Sequence, residues 1–249
     1  TRFQTGDTRK DIDIAVIKLP RISNFTDVSP LERFDNVSVR YIQRPDQLHQ
    51  PDMILLPGTK STIADLLWLR QSGLEAAICQ QTARGCILFG ICGGYQMLGS
   101  TIRDPEGVEA AGVTEIQGMG LLDMDTVFAG EKVQRQVSGT FGEIPGALHG
   151  LTGLGYTGYE IHMGRSQRGG DAIQCSGNVY GSYIHGIFDG AGIAQALVRG
   201  LAAKKGIDPG RLTVFDPDAY KQEQYDRLAD AVRGGLDMDF VYKVLNREV

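Results

Sequence analysis

The stretch Gly85-Cys-Ile-Leu-Phe-Gly-Ile-Cys-Gly-Gly-Tyr-Gln-Met-Leu-Gly99 leaves this chain few ways to fold. Residues 86–89 form an apolar run with the length and flanks of a buried strand, and from Gly93 the pattern changes to one that continues as a helix. Cys92 stands at the change of period. A side chain on such a strand-to-helix turn is lifted above the sheet, and the small residues at 90, 93 and 94 let substrate and backbone approach it closely. A lone cysteine is ordinarily a small core residue. One flanked by glycines at a strand end is better explained as a nucleophile.

The chemistry follows from that geometry. A thiol attacks as thiolate, and the amino end of a helix places positive partial charge beside it. The Gly93 N–H, without an intrahelical acceptor, points toward the same space and suits the oxyanion of a tetrahedral intermediate. Gln96, four positions after Cys92, shares its helical face and is placed to fix a bound substrate.

Composition narrows the class. With 249 residues, 42% of them hydrophobic and 22% charged, the chain is long enough for one large or two small cores. A net charge of −5 argues against a nucleic-acid or anionic-membrane surface as its main partner. No apolar run approaches the roughly 18 residues of a membrane span and no signal peptide is evident, so a cytoplasmic protein is expected. The cysteines at 79, 86, 92 and 175 form no C-x-x-C pair and have no histidine at metal-ligand spacing, which indicates neither zinc nor a disulfide framework.

Along the chain, residues 1–11 read as a tail or linker, and 12–249 as the folded domain. Strands are expected at 12–19, 37–42, 53–56 and 86–90, with Ser29 before Pro30 capping a short helix between the first two. Helices are expected from Ser61 and over 74–84. Strand–loop–helix repetition gives a parallel sheet whose carboxyl edge carries both Cys92 and Gly58, and the Gly58 N–H is the second oxyanion donor expected there. Pro57-Gly-Thr-Lys-Ser-Thr62 resembles a phosphate loop in composition, but Thr59 stands where a Walker A loop needs the glycine before its lysine. After Gly99 the texture changes to short alternating runs at 114–117, 121–128, 132–141, 156–162 and 178–185, expected as antiparallel strands and sheet edges, with a turn at 163–165. Helices at 189–205, 217–233 and 238–247 complete the chain.

Cys92 needs a base. His49 and His149 lie in polar or glycine-rich segments, whereas His162 and His185 lie at or near strand ends, and the position of His185 before Gly186 favours it.

Five ordered segments carry a family resemblance. Gly90-Ile-Cys-Gly-Gly-Tyr-Gln96 resembles the nucleophile motif of class I glutamine amidotransferases, and Ser182-Tyr-Ile-His-Gly-Ile-Phe-Asp189 resembles the histidine motif of their cobyric acid synthase branch. Leu19-Pro-Arg-Ile-Ser-Asn-Phe-Thr-Asp27, Leu56-Pro-Gly-Thr-Lys-Ser-Thr62 and Gly158-Tyr-Glu-Ile-His-Met-Gly-Arg165 are similar to further segments of that branch. The resemblance implies a flavodoxin-like α/β fold, a central, mostly parallel sheet flanked by helices with a smaller antiparallel extension. It also implies Cys92 as nucleophile, His185 as base and the Gly58 and Gly93 amides as oxyanion hole. Lys132 matches a basic position that steers the carboxylate of glutamine in related enzymes, and a solvated strand lysine is the alternative.

Many class I members carry Glu two residues after the catalytic histidine, where this chain has Ile187. A Cys–His dyad is therefore expected, with Glu160 as a substitute orienter. The branch implies L-glutamine as substrate and an ATP-dependent synthetase domain, holding ATP, Mg²⁺ and a corrinoid, as partner. No cofactor is expected in this chain, and no nucleic acid or membrane. Two alternatives stay open: a subunit amidating lipid II beside a Mur-ligase-like partner, and a docking module without turnover.

Overall fold

The computed structural model describes residues 10–109, 113–166, 170–190, 192–208, 210, 212 and 217–247. It divides into two units, 1–213 and 214–249.

The first unit is built on four apolar runs, of which the first, third and fourth bury nearly every side chain, as strands covered on both faces must. They are β1 (Ile12–Ile17), β2 (Val37–Ile42), β3 (Met53–Leu56) and β4 (Ile87–Ile91). In β3 and β4 every residue is buried. Helices α1 (Thr62–Gln71) and α2 (Leu74–Ala83) connect β3 to β4, and the short α3 (Gly93–Met97) follows β4. After α3 come β5 (Thr101–Arg103), β6 (Glu115–Gln117), β7 (Asp125–Thr140), β8 (Gly155–Ser166), β9 (Gln174–Ser176), β10 (Val179–Ser182) and α4 (Ile193–Lys205).

The larger sheet has the order β2-β1-β3-β4-β10-β9, parallel throughout except for β9. The chain leaves β1 toward β2 on one side and returns to β3 on the other. This reversal opens a crevice outside the carboxyl ends of the strands, where sheets of this kind build their sites. A smaller sheet, β6-β5-β7-β8, is antiparallel apart from its β5–β7 pair. The strand–helix joint after β4 is tight. A Cβ on Gly94 would lie 2.0 Å from the Leu56 carbonyl oxygen, so no other residue lets α3 lie so close to β3. Helix α4 ends as its sequence indicates, with Lys204 and Lys205 in the last turn and Gly206 in the left-handed conformation.

Several expectations are corrected. The run 178–185 is antiparallel only toward β9; toward the core β10 pairs in parallel with β4, Val179 against Leu88 through Ser182 against Ile91. Its alternation came from glycine and serine under a fully buried strand. The runs 121–128 and 132–141 contribute to a single strand, β7, with an irregularity between Phe128 and Val133. Residues 163–165 make no turn but continue β8, with Gly164 opposite Phe128. Glycine is needed there because a Cβ would lie 2.5 Å from Gln96 Nε2. Ser29 caps no helix; its N–H closes a 3₁₀ turn at Phe25–Val28, and a second 3₁₀ turn follows Pro30. Most of the expected 1–11 tail lies outside the described residues.

The second unit comprises α5 (Pro217–Gly235) and α6 (Met238–Leu245). Asp237 begins α6 by accepting a hydrogen bond from the Phe240 N–H at 3.0 Å.

Candidate active site

Four loops leave the carboxyl ends of β1, β3, β4 and β10, and each brings one part of the site. After β4, Cys92 takes φ 52° and ψ −110°, a backbone conformation unusual for a residue with a side chain. The turn is held because Cys92 N–H donates to the Ser182 carbonyl at 2.8 Å and Cys92 C=O accepts from Gln96 N–H at 3.0 Å. The thiol faces the Ile161 carbonyl at 3.6 Å. Helix α3 has only 5 residues, so its dipole contributes less beside Cys92 than the sequence suggested.

After β10, His185 is 0% exposed and locked to β8 by backbone bonds in both directions with Tyr159, at 2.8 and 3.1 Å. The Tyr159 ring stacks on the imidazole with centroids 5.3 Å apart. From the loop after β1, Asp27 completes the arrangement. Its Oδ2 accepts from His185 Nδ1 at 2.8 Å and its Oδ1 from Gly186 N–H at 2.8 Å. Burial pushes His185 down, but its hydrogen bonds to Asp27 and Cys92, with the charges of both, raise it to about 9. An imidazolium beside Cys92 stabilises a thiolate.

The expected dyad is therefore corrected to a Cys–His–Asp set. Glu160 is not the orienter, since its carboxylate pairs with Arg135 at 2.7 Å. His162 is bonded to the Gly164 carbonyl at 2.7 Å and stacked on Tyr183, and burial lowers its pKa. His49 and His149 are exposed.

After β3, Gly58 and Thr59 lie beside the Cys92 turn. A Cβ on Gly58 would stand 2.9 Å from His185 Cε1 and 3.7 Å from Cys92 Cβ, so only glycine fits. The Gly58 carbonyl is turned away by Ser23 N–H at 2.9 Å. Neither Gly58 N–H nor Gly93 N–H donates to an acceptor among the described residues. Buried amides without acceptors suit an arriving oxyanion. The resemblance of 57–62 to a phosphate loop fails structurally as well. Thr59 Oγ1 donates to Asp65, and Thr62 Oγ1 donates to Gln96 Oε1 at 3.0 Å.

Gln96 is buried, and its Nε2 reaches Tyr183 Oη at 3.4 Å. Lys132 is exposed on β7 at the irregularity, and its side chain forms no hydrogen bond or ion pair with another described residue. Asp27 was missed by residue-level reading. Its available signal was an acid in a polar loop following the first apolar strand.

In fold, the chain is similar to a crystal structure of a glutamine amidotransferase, with a TM-score of 0.53 at 19% identity, covering 78% of this chain and 99% of that one. It is also similar to a chain in the structure of PurLQS from Thermotoga maritima, with a TM-score of 0.55 at 18% identity, covering 77% and 99%. These define an amidotransferase-type α/β fold. Residues 13–192 match the CobB/CobQ-like glutamine amidotransferase domain, and the chain belongs to that family.

Curated relatives named cobyric acid synthase include those of Lachnoclostridium phytofermentans, 50% identical over 97% of this chain, and Ruminiclostridium cellulolyticum, 45% identical over 96%. A third, from Alkaliphilus metalliredigens, is 41% identical over 98%. The chain spans about half the length of these relatives, 52%, 50% and 53% respectively. No described helix is long and apolar enough to cross a membrane, and the described residues hold no cluster fit for a metal ion.

Proposed function

We propose that this chain is the glutaminase half of a cobyric acid synthase, releasing ammonia from L-glutamine for amidation of a corrinoid by an ATP-dependent synthetase half. The observation that carries the chemistry is the Asp27–His185 hydrogen bond beside Cys92 on its strained turn. Cys92 thiolate attacks the carboxamide carbon, and the Gly58 and Gly93 amides receive the oxyanion. His185 protonates the departing nitrogen from Nε2, then takes a proton from the water that cleaves the glutamyl thioester. Asp27 keeps Nδ1 protonated and the ring in plane throughout.

Gln96 lines the substrate pocket with the Nε2 proton not directed at Tyr183, and Lys132 is assigned to the substrate carboxylate. ATP and Mg²⁺ are assigned to the synthetase half, since the Thr59 and Thr62 hydroxyls of the segment that resembles a phosphate loop are bonded to Asp65 and Gln96 of this chain. The nearly full-length similarity to cobyric acid synthases supports this reading over lipid II amidation, and the acid found at Asp27 removes the main argument for a module without turnover. Cytoplasmic residence is part of the proposal.

The test is glutamine hydrolysis by this chain and by Cys92→Ser, alone and with the synthetase half added. Ammonia release that vanishes in Cys92→Ser supports the assignment. A wild type silent under both conditions overturns it.

A further inference from the structure

Asn24 has a side chain that local structure does not use. It stands at the head of the 3₁₀ turn Phe25–Val28, where an asparagine ordinarily caps, yet its side chain makes no capping bond. Its backbone is left-handed, φ 51° and ψ 42°, a conformation asparagine tolerates better than most residues. The loop is fixed on both sides: Ser23 N–H donates to the Gly58 carbonyl, and Asp27 N–H donates to the Asn24 carbonyl at 3.0 Å. The carboxamide is thereby delivered to the reaction side of the histidine, Nδ2 lying 3.1 Å from His185 Nε2.

We propose that Asn24 holds the leaving nitrogen of glutamine, accepting one of its N–H groups while His185 Nε2 delivers the proton that expels it. This rests on the glutaminase reading above. In the tetrahedral intermediate the carbon carries the Cys92 sulfur, an oxyanion facing Gly58 and Gly93, the substrate chain and an –NH₂ group. That nitrogen must turn its lone pair to Nε2–H, which leaves two N–H bonds needing acceptors in a closed site. A carboxamide 3.1 Å from Nε2 is within reach of any nitrogen that takes the Nε2 proton.

The C–N bond then breaks, its electron pair stays on nitrogen, the Nε2 proton moves to it, and ammonia leaves a Cys92 thioester and a neutral His185. A half-turn of the Asn24 amide exchanges acceptor for donor. Nδ2–H then faces the lone pair that Nε2 gains once its proton has left; the structure places Nδ2 3.1 Å from Nε2.

The experiment compares the full chain with Asn24→Gly on two substrates that form the same Cys92 thioester, L-glutamine and glutamate γ-methyl ester. Glycine accepts the left-handed backbone, so the loop is kept while the carboxamide is removed. The readout is kcat/KM, which reports steps up to acylation. The ester has no N–H on its leaving oxygen. Asn24→Gly should lose on the order of 30-fold on glutamine and no more than about threefold on the ester.

Equal losses on both substrates overturn the inference and make Asn24 a support for His185 alone, and no loss on either also overturns it. A wild type that acts on neither substrate, alone and with the synthetase half added, overturns the glutaminase reading itself and this inference with it.

Discussion

Asp27 and His185 stand 158 positions apart in the sequence and meet at 2.8 Å between Oδ2 and Nδ1. The same carboxylate accepts the Gly186 N–H through its other oxygen, so it fixes the ring and the backbone that carries it. The substitution Asp27→Asn keeps the volume but permits the wrong tautomer of the imidazole. We expect kcat for glutamine to fall on the order of 10²- to 10⁴-fold with little change in KM. Steady-state kinetics decides, and full activity in Asp27→Asn would return the site to a dyad.

How much of this was readable in the sequence depends on distance along the chain. The Cys92 turn and Gly58 are local signals, a change of period and a glycine after an apolar strand, and both lie at the sheet edge where they were expected. His185 was readable as a strand-end histidine. Asp27 was not, because an orienting acid can come from any loop that the sheet brings to one edge, and a polar loop has no periodicity to reveal its direction. The acid was sought next to the histidine, at 187, whereas the fold supplies it from beyond β1. Pairing direction was equally hidden. The segment ending at Ser182 pairs antiparallel with β9 and also joins β4, and only the crossover, a tertiary feature, makes that second pairing parallel.

Protonation of His185 gives a pH prediction. Its folded pKa of about 9 exceeds the ordinary 6.5, with burial opposing the rise and bonds to Asp27 and Cys92 outweighing it. A raised value means the imidazolium contributes stability that is fully present below pH 6.5 and is lost as pH rises through about 9. The urea-midpoint advantage of wild type over His185→Gln should therefore shrink between about pH 6 and pH 10. An advantage that is constant or grows contradicts the ion pair.

The same pair should make Cys92 the reactive thiol. Burial pushes Cys86 up to about 12, so it serves as an internal control. Iodoacetamide near neutral pH should modify Cys92 first, and His185→Gln should slow that reaction by at least about tenfold. Peptide mapping after brief alkylation reads the order directly. Equal labelling of the two sites would show that Cys92 is an ordinary thiol.

Gly58 can be tested by adding one carbon. A Cβ there would be 2.9 Å from His185 Cε1 and 3.3 Å from Ser23 Oγ, and the imidazole, held by Asp27 and by its backbone bonds to Tyr159, has little room to retreat. Gly58→Ala should lower kcat about 10²-fold while the fold persists, since the strain falls on the loop and not on the core. Kinetics beside a thermal melt separates the two. Unchanged turnover would remove Gly58 from the site.

Asp65 connects the loops that follow β1 and β3. Its carboxylate, on α1 and 0% exposed, accepts from Arg21 N–H at 3.1 Å, from the Arg21 guanidinium at 3.1 Å and from Thr59 Oγ1. Lys60 N–H donates to the Arg21 carbonyl at 3.0 Å, so the loop after β1, with Asp27, and the loop after β3, with Gly58, are bound as one body. Thr59→Val removes one donor to a buried carboxylate without changing shape and should cost about 1–3 kcal/mol. If the link also holds Gly58 N–H in place, kcat should fall in Thr59→Val more than KM rises, and Thr59→Ser, which keeps the hydroxyl, should restore it. Loss of stability with unchanged kcat in Thr59→Val would mean that Asp65 secures the fold while the oxyanion donors keep their geometry without it.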